Sequence, residues 1–303
     1  MNAPDGFTAR PGTLEDAAAA SELMNAFDRA YLEEPDTVDA AEVSGWWARI
    51  ELDRDSRFYF DVGGRLAGTA ALYSRNEGRL DLDAYVLPEQ SGNGLGGAMV
   101  DWLEEETTRR GAEVARTSAI TADRAAARLL DERGFESVRH FYRMSIELSA
   151  PPPEPEWPDG FIVSTLQPGD EEVLHAVTEE TFAEHWGYEH RPFGEWRKHN
   201  IDREWWDPSL VYLVREGNEV VAAEISAIRF GSGWVNTVGT RKPWRGQGLG
   251  RALLLQAFGE LYGRGERRVA LAVDAGNETG ATHLYESVGM RIAWQADVYE
   301  KHL

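Results

Sequence analysis

The chain of 303 residues contains no cysteine. That excludes disulfides, thiolate metal ligands and a cysteine nucleophile, and leaves the redox compartment open. Lysine is nearly absent: Lys198, Lys242 and Lys301 are the only three, so almost all positive charge is arginine. No apolar run approaches the ~20 residues that span a bilayer, and the opening MNAPDGFTARPGTLED lacks the apolar core of a signal peptide. The expectation is a cytoplasmic protein with no membrane partner. Cationic surface is short as well. A net charge of −21 makes a nucleic-acid backbone a poor partner and favours cationic small molecules. His185, His190 and His199 do not share one helix face, and Gly187 and Pro192 interrupt the segment, so no metal is expected.

What is present is a repeat. Asp5-Gly6-Phe7 returns as Asp159-Gly160-Phe161, the run Phe58 to Gly68 as Tyr212 to Ala222, and Gly94-Leu95-Gly96 as Gly248-Leu249-Gly250, all at one spacing. Further on, Ala126, Leu130 and Gly134-Phe135 match Ala281, Tyr285 and Gly289-Met290 with one residue inserted. Two copies of one fold therefore span 1–150 and 159–303, and the proline-rich 151–158 joins them as a stiff, extended linker.

Each copy has the same order of elements. A short strand (Phe7 to Arg10; Phe161 to Leu166) leads into a helical region, Leu14 to Asp53 or Asp170 to Asn200. Three strands follow, then a glycine turn, a long helix (Gly94 to Arg110; Gly248 to Arg264), a strand, a shorter helix and a closing strand. This order predicts an α/β chain of two tandem folds, each a twisted mixed sheet flanked by helices.

The segment richest in chemistry is WVNTVGTRKPWRGQGLGRALLL, Trp234 to Leu255. A β-branched strand enters a turn holding Gly246, Gly248 and Gly250. Leu253, Leu254, Ala257, Phe258 and Leu261 then keep helical spacing. Glycines let backbone N–H groups close on an anion, and the first turn of a helix adds unsatisfied donors and the positive end of its dipole. Arg241, Lys242 and Arg245 crowd the turn, which reads as a phosphate site. It has no Gly-Lys-Ser/Thr ending for a Walker loop, and Leu253 stands where a dinucleotide fold wants its third glycine.

The run Arg245-x-x-Gly248-x-Gly250 resembles the coenzyme A pyrophosphate loop of the GNAT acyltransferases. The run from Asn277 through Ala281, Leu284 and Tyr285 to Gly289-Met290 is similar to that family's second signature, with one extra residue after Asn277. The order of elements is similar to the GNAT fold over nearly the whole of each copy, and the tandem plan resembles the mycothiol-synthase branch.

The resemblance implies an N-acetyltransferase that uses acetyl-CoA as cosubstrate. A primary amine of a small molecule would attack the thioester directly, in the C-terminal half. It implies coenzyme contacts at Val238, Gly239, Thr240, Arg245, Gly246, Gln247, Gly248, Leu249, Gly250, Arg251, Asn277 and Tyr285, with Tyr285 as the acid beside the sulfur. Other readings stay open: a peptide or protein N-acetyltransferase, or a non-catalytic coenzyme-binding module.

The first copy departs from the pattern, with Ser91 in place of Arg245 and Leu130 in place of Tyr285. It reads as a degenerate copy. The general base stays undecided. Trp234 stands near where some relatives carry a glutamate; Glu224 is the leading candidate, with Asp274 and the pair Glu184-His185 as alternatives. The aromatic, charged stretch Glu184 to Trp206 is expected to wall the acceptor site, with Glu184, His185, Trp186 and Tyr188 as contacts.

Overall fold

A computed structural model describes residues 3–76, 78–277 and 280–303. The chain divides into two compact units, Met1–Phe141 with Trp294–Leu303, and Tyr142–Ala293.

In the first unit β1 (Phe7–Arg10) precedes α1 (Ala17–Tyr31), α2 (Ala40–Trp47) and α3 (Leu52–Asp55). The antiparallel strands β2 (Ser56–Asp61), β3 (Leu66–Asn76) and β4 (Arg79–Val86) follow, then α4 (Leu95–Arg109), β5 (Val114–Ile120) and α5 (Arg124–Glu132). The strand β6 (Glu136–Glu147) begins in this unit. Sequence dictates the breaks. Asp39 caps α2 by accepting from the Glu42 N–H at 2.8 Å, and Asp123 caps α5 by accepting from Ala125 and Ala126. The core lies between α4 and the sheet, with Leu95, Met99, Trp102 and Leu103 against Leu72, Leu80 and Ala115.

The second unit repeats the plan. It runs β7 (Phe161–Thr165), α6 (Glu171–Phe182), α7 (Phe193–His199), β8 (Val211–Glu216), β9 (Glu219–Arg229), β10 (Ser232–Thr240), α8 (Leu249–Gly263), β11 (Arg268–Asp274), α9 (Ala281–Ser287) and the start of β12 (Arg291–His302). One face of β8 and β9 packs under α6 and α7 through Leu174, Val177, Trp196, Val211, Leu213 and Ile225. The other face carries α8 through Leu249, Leu253 and Ala257. Between β7 and β8 the helical region is broken: α6 ends at Phe182, and Pro192 stands at the cap position where α7 begins.

The compact units cut the chain differently from the copies seen in the sequence. The first unit is closed by the end of the chain: Ala296 to His302 on β12 pairs antiparallel with Ile120 to Val114 on β5. Arg116 is ion-paired to Glu300 there, and Lys301 Nζ sits 2.9 Å from Glu104. The second unit takes the later half of β6, which lies next to β11, and the Leu148 N–H donates to the Arg267 carbonyl at 2.7 Å. The repeat shows that the closing strands are equivalent. Equivalence does not say which sheet each one joins.

In both units the parallel pair beyond the glycine turn parts early. Pairing of β4 with β5 runs from Arg79↔Val114 to Leu82↔Thr117. For β10 and β11 it is confined to Gly233↔Val269 and Trp234↔Ala270, with a bulge in β10 between Val235 and Thr237. Beyond Trp234 the two strands leave a gap with backbone groups facing into it.

The exchanged strand gives a direct expectation. Truncation after Ala293 removes residues of the second copy yet should strip hydrogen-exchange protection from β5 in the first unit. Unchanged β5 protection, with β11 amides deprotected in its place, would contradict this assignment.

Candidate active site

The glycine turn of the second unit is open and positively polarised. Gly246 and Gly248 adopt left-handed φ values of 78° and 88°, which a side chain would strain, and nothing lies within 4 Å of where their Cβ atoms would be. Gly248 caps α8 without any side-chain hydrogen bond, so the first-turn N–H groups face outward. Gln247 and Arg251 are exposed, whereas the Leu249 side chain is buried and leaves its backbone to the turn. A Cβ on Gly250 would meet Leu284 on α9 at 3.0 Å. That glycine lets the two helices approach. An open cradle of N–H donors at a helix start fits a diphosphate.

Two cations flank the cradle and share one carboxylate. Lys242 Nζ lies 2.7 Å from Glu184 Oε1, and Arg245 Nη1 lies 3.4 Å from Glu184 Oε2. The Lys242 hydrogen bond holds the Glu184 carboxyl below its usual range. Arg245 is also fixed by donating from Nε to the Thr240 carbonyl at 3.0 Å. Arg241 is committed elsewhere, to Glu180 at 2.9 Å and Glu219 at 3.1 Å. Glu184, expected among the acceptor contacts, thus pairs with the two cations beside the glycine turn. An exposed pair of this kind is weak, and a multiply charged anion can displace it.

The end of α6 lies across the parted strands. A Cβ on Gly239 would fall 2.3 Å from Thr181 Oγ1, so only glycine admits the helix this close to β10. Val238 packs toward the α8 side, and Thr240 closes the strand. One turn past Thr181, the His185 ring packs at a tilt against Phe182 with centroids 4.3 Å apart, and its Nε2 is 3.4 Å from Asn277 Nδ2. Asp274 accepts the Gly276 N–H at 2.9 Å and so shapes the turn that carries Asn277. Glu278 and Thr279, which hold the extra residue of the second motif, lie outside the described residues.

Tyr285 is 9% exposed on α9, and burial in an apolar wall pushes its hydroxyl up to about 12. It stays protonated at neutral pH. Trp186 is half-buried. Tyr188 donates to Glu179 Oε2 at 2.7 Å; burial first, and that carboxylate second, push its hydroxyl up to about 12. The same Glu179 oxygen accepts from the Arg191 N–H at 2.9 Å, so Tyr188 fastens the loop after α6 to the helix.

Glu224 is not where a base must be. It is 0% exposed on β9, cross-strand from Tyr212 and Val238 and therefore on the α8 face. The Ser226 hydroxyl donates to its Oε1, while Oε2 has no partner among the described residues. Burial raises its carboxyl well above the usual range, which favours the neutral acid, and seals it from an acceptor. Alternation along β9 sets the face: Glu224 lies on the same side as Ala222, which packs against α8.

The first unit keeps the cradle without the charge. Gly92 and Gly94 have φ values of 83° and 85°, and Gly94 caps α4. A cleft of about 1030 Å³ opens there, lined by Tyr31, Arg57, Ser91, Asp123 and Arg133 among others. Arg133 is paired with Asp101, and Leu130, in the Tyr285 position, is 3% exposed.

The acetyltransferase (GNAT) family model matches residues 20–135 and 174–290. The chain is 34% identical over 248 residues to the mycothiol acetyltransferase of Thermobispora bispora, covering 78% of this chain and 80% of the relative. A GCN5-related N-acetyltransferase from Sphaerobacter thermophilus superposes with a TM-score of 0.85 at 33% identity, covering 99% of this chain and 97% of the other. A tandem GNAT protein from the clavulanic acid biosynthesis pathway shares the fold, with a TM-score of 0.78 at 14% identity and 98% coverage of both chains.

The buried carboxyl sets a sign for stability. Below the unfolded glutamate value of about 4.3 both states hold the proton; above it only the unfolded state releases it. Wild type should therefore lose ground to Glu224→Gln as pH rises from 4 to 7, by up to about 1.4 kcal/mol per pH unit. Denaturant titrations across that range measure it. A pH-independent difference would mean an ionised Glu224.

Proposed function

The chain belongs to the acetyltransferase (GNAT) family, and from that premise we propose that its C-terminal unit moves an acetyl group from acetyl-CoA to a primary amine of a small molecule. The observation that carries this reading is the open turn at Gly246 and Gly248, flanked by Lys242 and Arg245 at the end of a strand that has parted from its neighbour. When bound, acetyl-CoA supplies an activated thioester. The turn's N–H groups and Arg245 would hold the diphosphate, with Lys242 released from Glu184 to join them. Asn277 would hold the pantetheine arm along the gap. The Tyr285 hydroxyl, protonated up to about 12, would give its proton to the departing sulfur.

The acceptor follows from charge and relatives. An alkyl amine with a pKa of about 10.4 needs about 4–5 kcal/mol to lose its proton at pH 7. A net charge of −21 concentrates such cations near the protein. The mycothiol acetyltransferases it resembles point to an amine carried on a small thiol or sugar. Ser91 and Leu130 leave the N-terminal unit without the matching cation and hydroxyl, so catalysis is assigned to the C-terminal unit alone.

A thiol-release assay with acetyl-CoA tests this across cysteinyl amino sugars, aminoglycosides, polyamines and peptide N-termini. Turnover with a small amine is expected. Turnover confined to peptides favours a protein acetyltransferase, and coenzyme binding without any turnover a binding module. Tyr285→Phe should lower kcat about a hundredfold at unchanged coenzyme affinity; a wild-type rate removes Tyr285 from the chemistry.

A further inference from the structure

Resting on the acetyltransferase reading, we propose that His185 is the general base that takes the proton from the acceptor amine. Its position carries the assignment. The Thr181–Gly239 contact pins the end of α6 over β10, and His185, one turn on, reaches across to Asn277 on the far side of the parted strands. Asn277 is where the family resemblance places the pantetheine arm. A base must stand beside that arm, on the face open to the acceptor, with a lone pair to offer.

The other titratable groups around the gap do not meet those conditions. Glu184 lies against Lys242 and Arg245, at the glycine turn proposed for the diphosphate rather than beside the pantetheine arm. Asp274 is 8% exposed and accepts from the Gly276 N–H. Glu224 is 0% exposed and sealed on the α8 face of β9. Trp234, near the start of β10, has nothing to titrate. His185 is half-buried, packed at a tilt against Phe182, and its Nε2 edge approaches Asn277 at 3.4 Å. With the Asn277 amide as donor, Nε2 accepts and Nδ1 carries the hydrogen; that lone pair opens to the acceptor amine once Asn277 turns to the pantetheine arm.

The electrostatics agree with the geometry. Burial is the largest influence and lowers the imidazole from the usual histidine value; Asp274 and Glu184 pull it up, Arg245 pulls it down, and the balance is downward. At pH 7 the ring is therefore neutral and ready to accept a proton.

The proton balance closes with groups already named. The acceptor arrives as an ammonium ion and gives one proton to His185 Nε2. The N–C bond forms, the C–S bond breaks, and its electron pair stays on sulfur. Tyr285 gives its proton to the sulfur and is restored, through water, by the second proton leaving nitrogen. The sum is amide, coenzyme thiol and one proton, which the imidazolium returns to solvent.

The test combines ring spectroscopy with kinetics on the full chain. In wild type labelled at histidine ring nitrogens, the signal missing from His185→Gln should titrate below about 6.5, the ordinary histidine value. It should also move when CoA is added. A signal that titrates above that value, or ignores CoA, overturns the proposal whether or not an acceptor has been found. With the panel amine that wild type turns over fastest, His185→Gln should bind CoA within about twofold of wild type. It should lose about 10²–10⁴ in kcat/KM together with the acid limb of the pH profile. A retained acid limb at near-normal rate also overturns it. Wild type that releases no thiol with any amine contradicts the acetyltransferase reading itself, and the ring signal still decides where the base stands.

Discussion

Two parallel strands stop pairing after Trp234 and Ala270, and the active region of the second unit depends on that separation. A strand end that leaves its neighbour exposes backbone donors and acceptors that must find partners. The bulge after Val235 redirects β10 away from β11, and the glycine turn then brings the start of α8 to the end of the gap. Helix dipole, open N–H groups and two cations meet there. Each residue that makes the arrangement possible is small for a physical reason. Gly239 admits Thr181, Gly250 admits Leu284, and Gly248 takes a backbone conformation that a side chain resists.

Both units share the gap, and they differ in the side chains around it. The first unit has parted strands and left-handed glycines too, and it retains a cleft of about 1030 Å³. Ser91 stands in the Arg245 position and brings no charge, and Leu130 stands in the Tyr285 position and brings no hydroxyl. The backbone geometry is common to both units; the side chains around it are not.

Much of this was legible in the sequence. The glycine turn, Arg245, Asn277 and Tyr285 are local signals, and the order of elements follows from periodicity and turn residues. Three features were not legible, because each depends on contacts distant in sequence. Internal similarity identifies Ala296 to His302 as a closing strand but cannot say that it pairs with β5. Glu224 looks available in a strand pattern, yet α8, distant in sequence, covers the face of β9 on which it lies. The meeting of Glu184 with Lys242 and Arg245, and of His185 with Asn277, follows from how the end of α6 sits on Gly239.

The most direct measurement is a crystal structure of the chain with acetyl-CoA bound. The account predicts diphosphate oxygens hydrogen-bonded to the backbone N–H groups of residues 246–250, Glu184 released from Arg245, and the thioester sulfur beside the Tyr285 hydroxyl. A coenzyme found only at the turn of Gly92 and Gly94, or a sulfur remote from Tyr285, would contradict it.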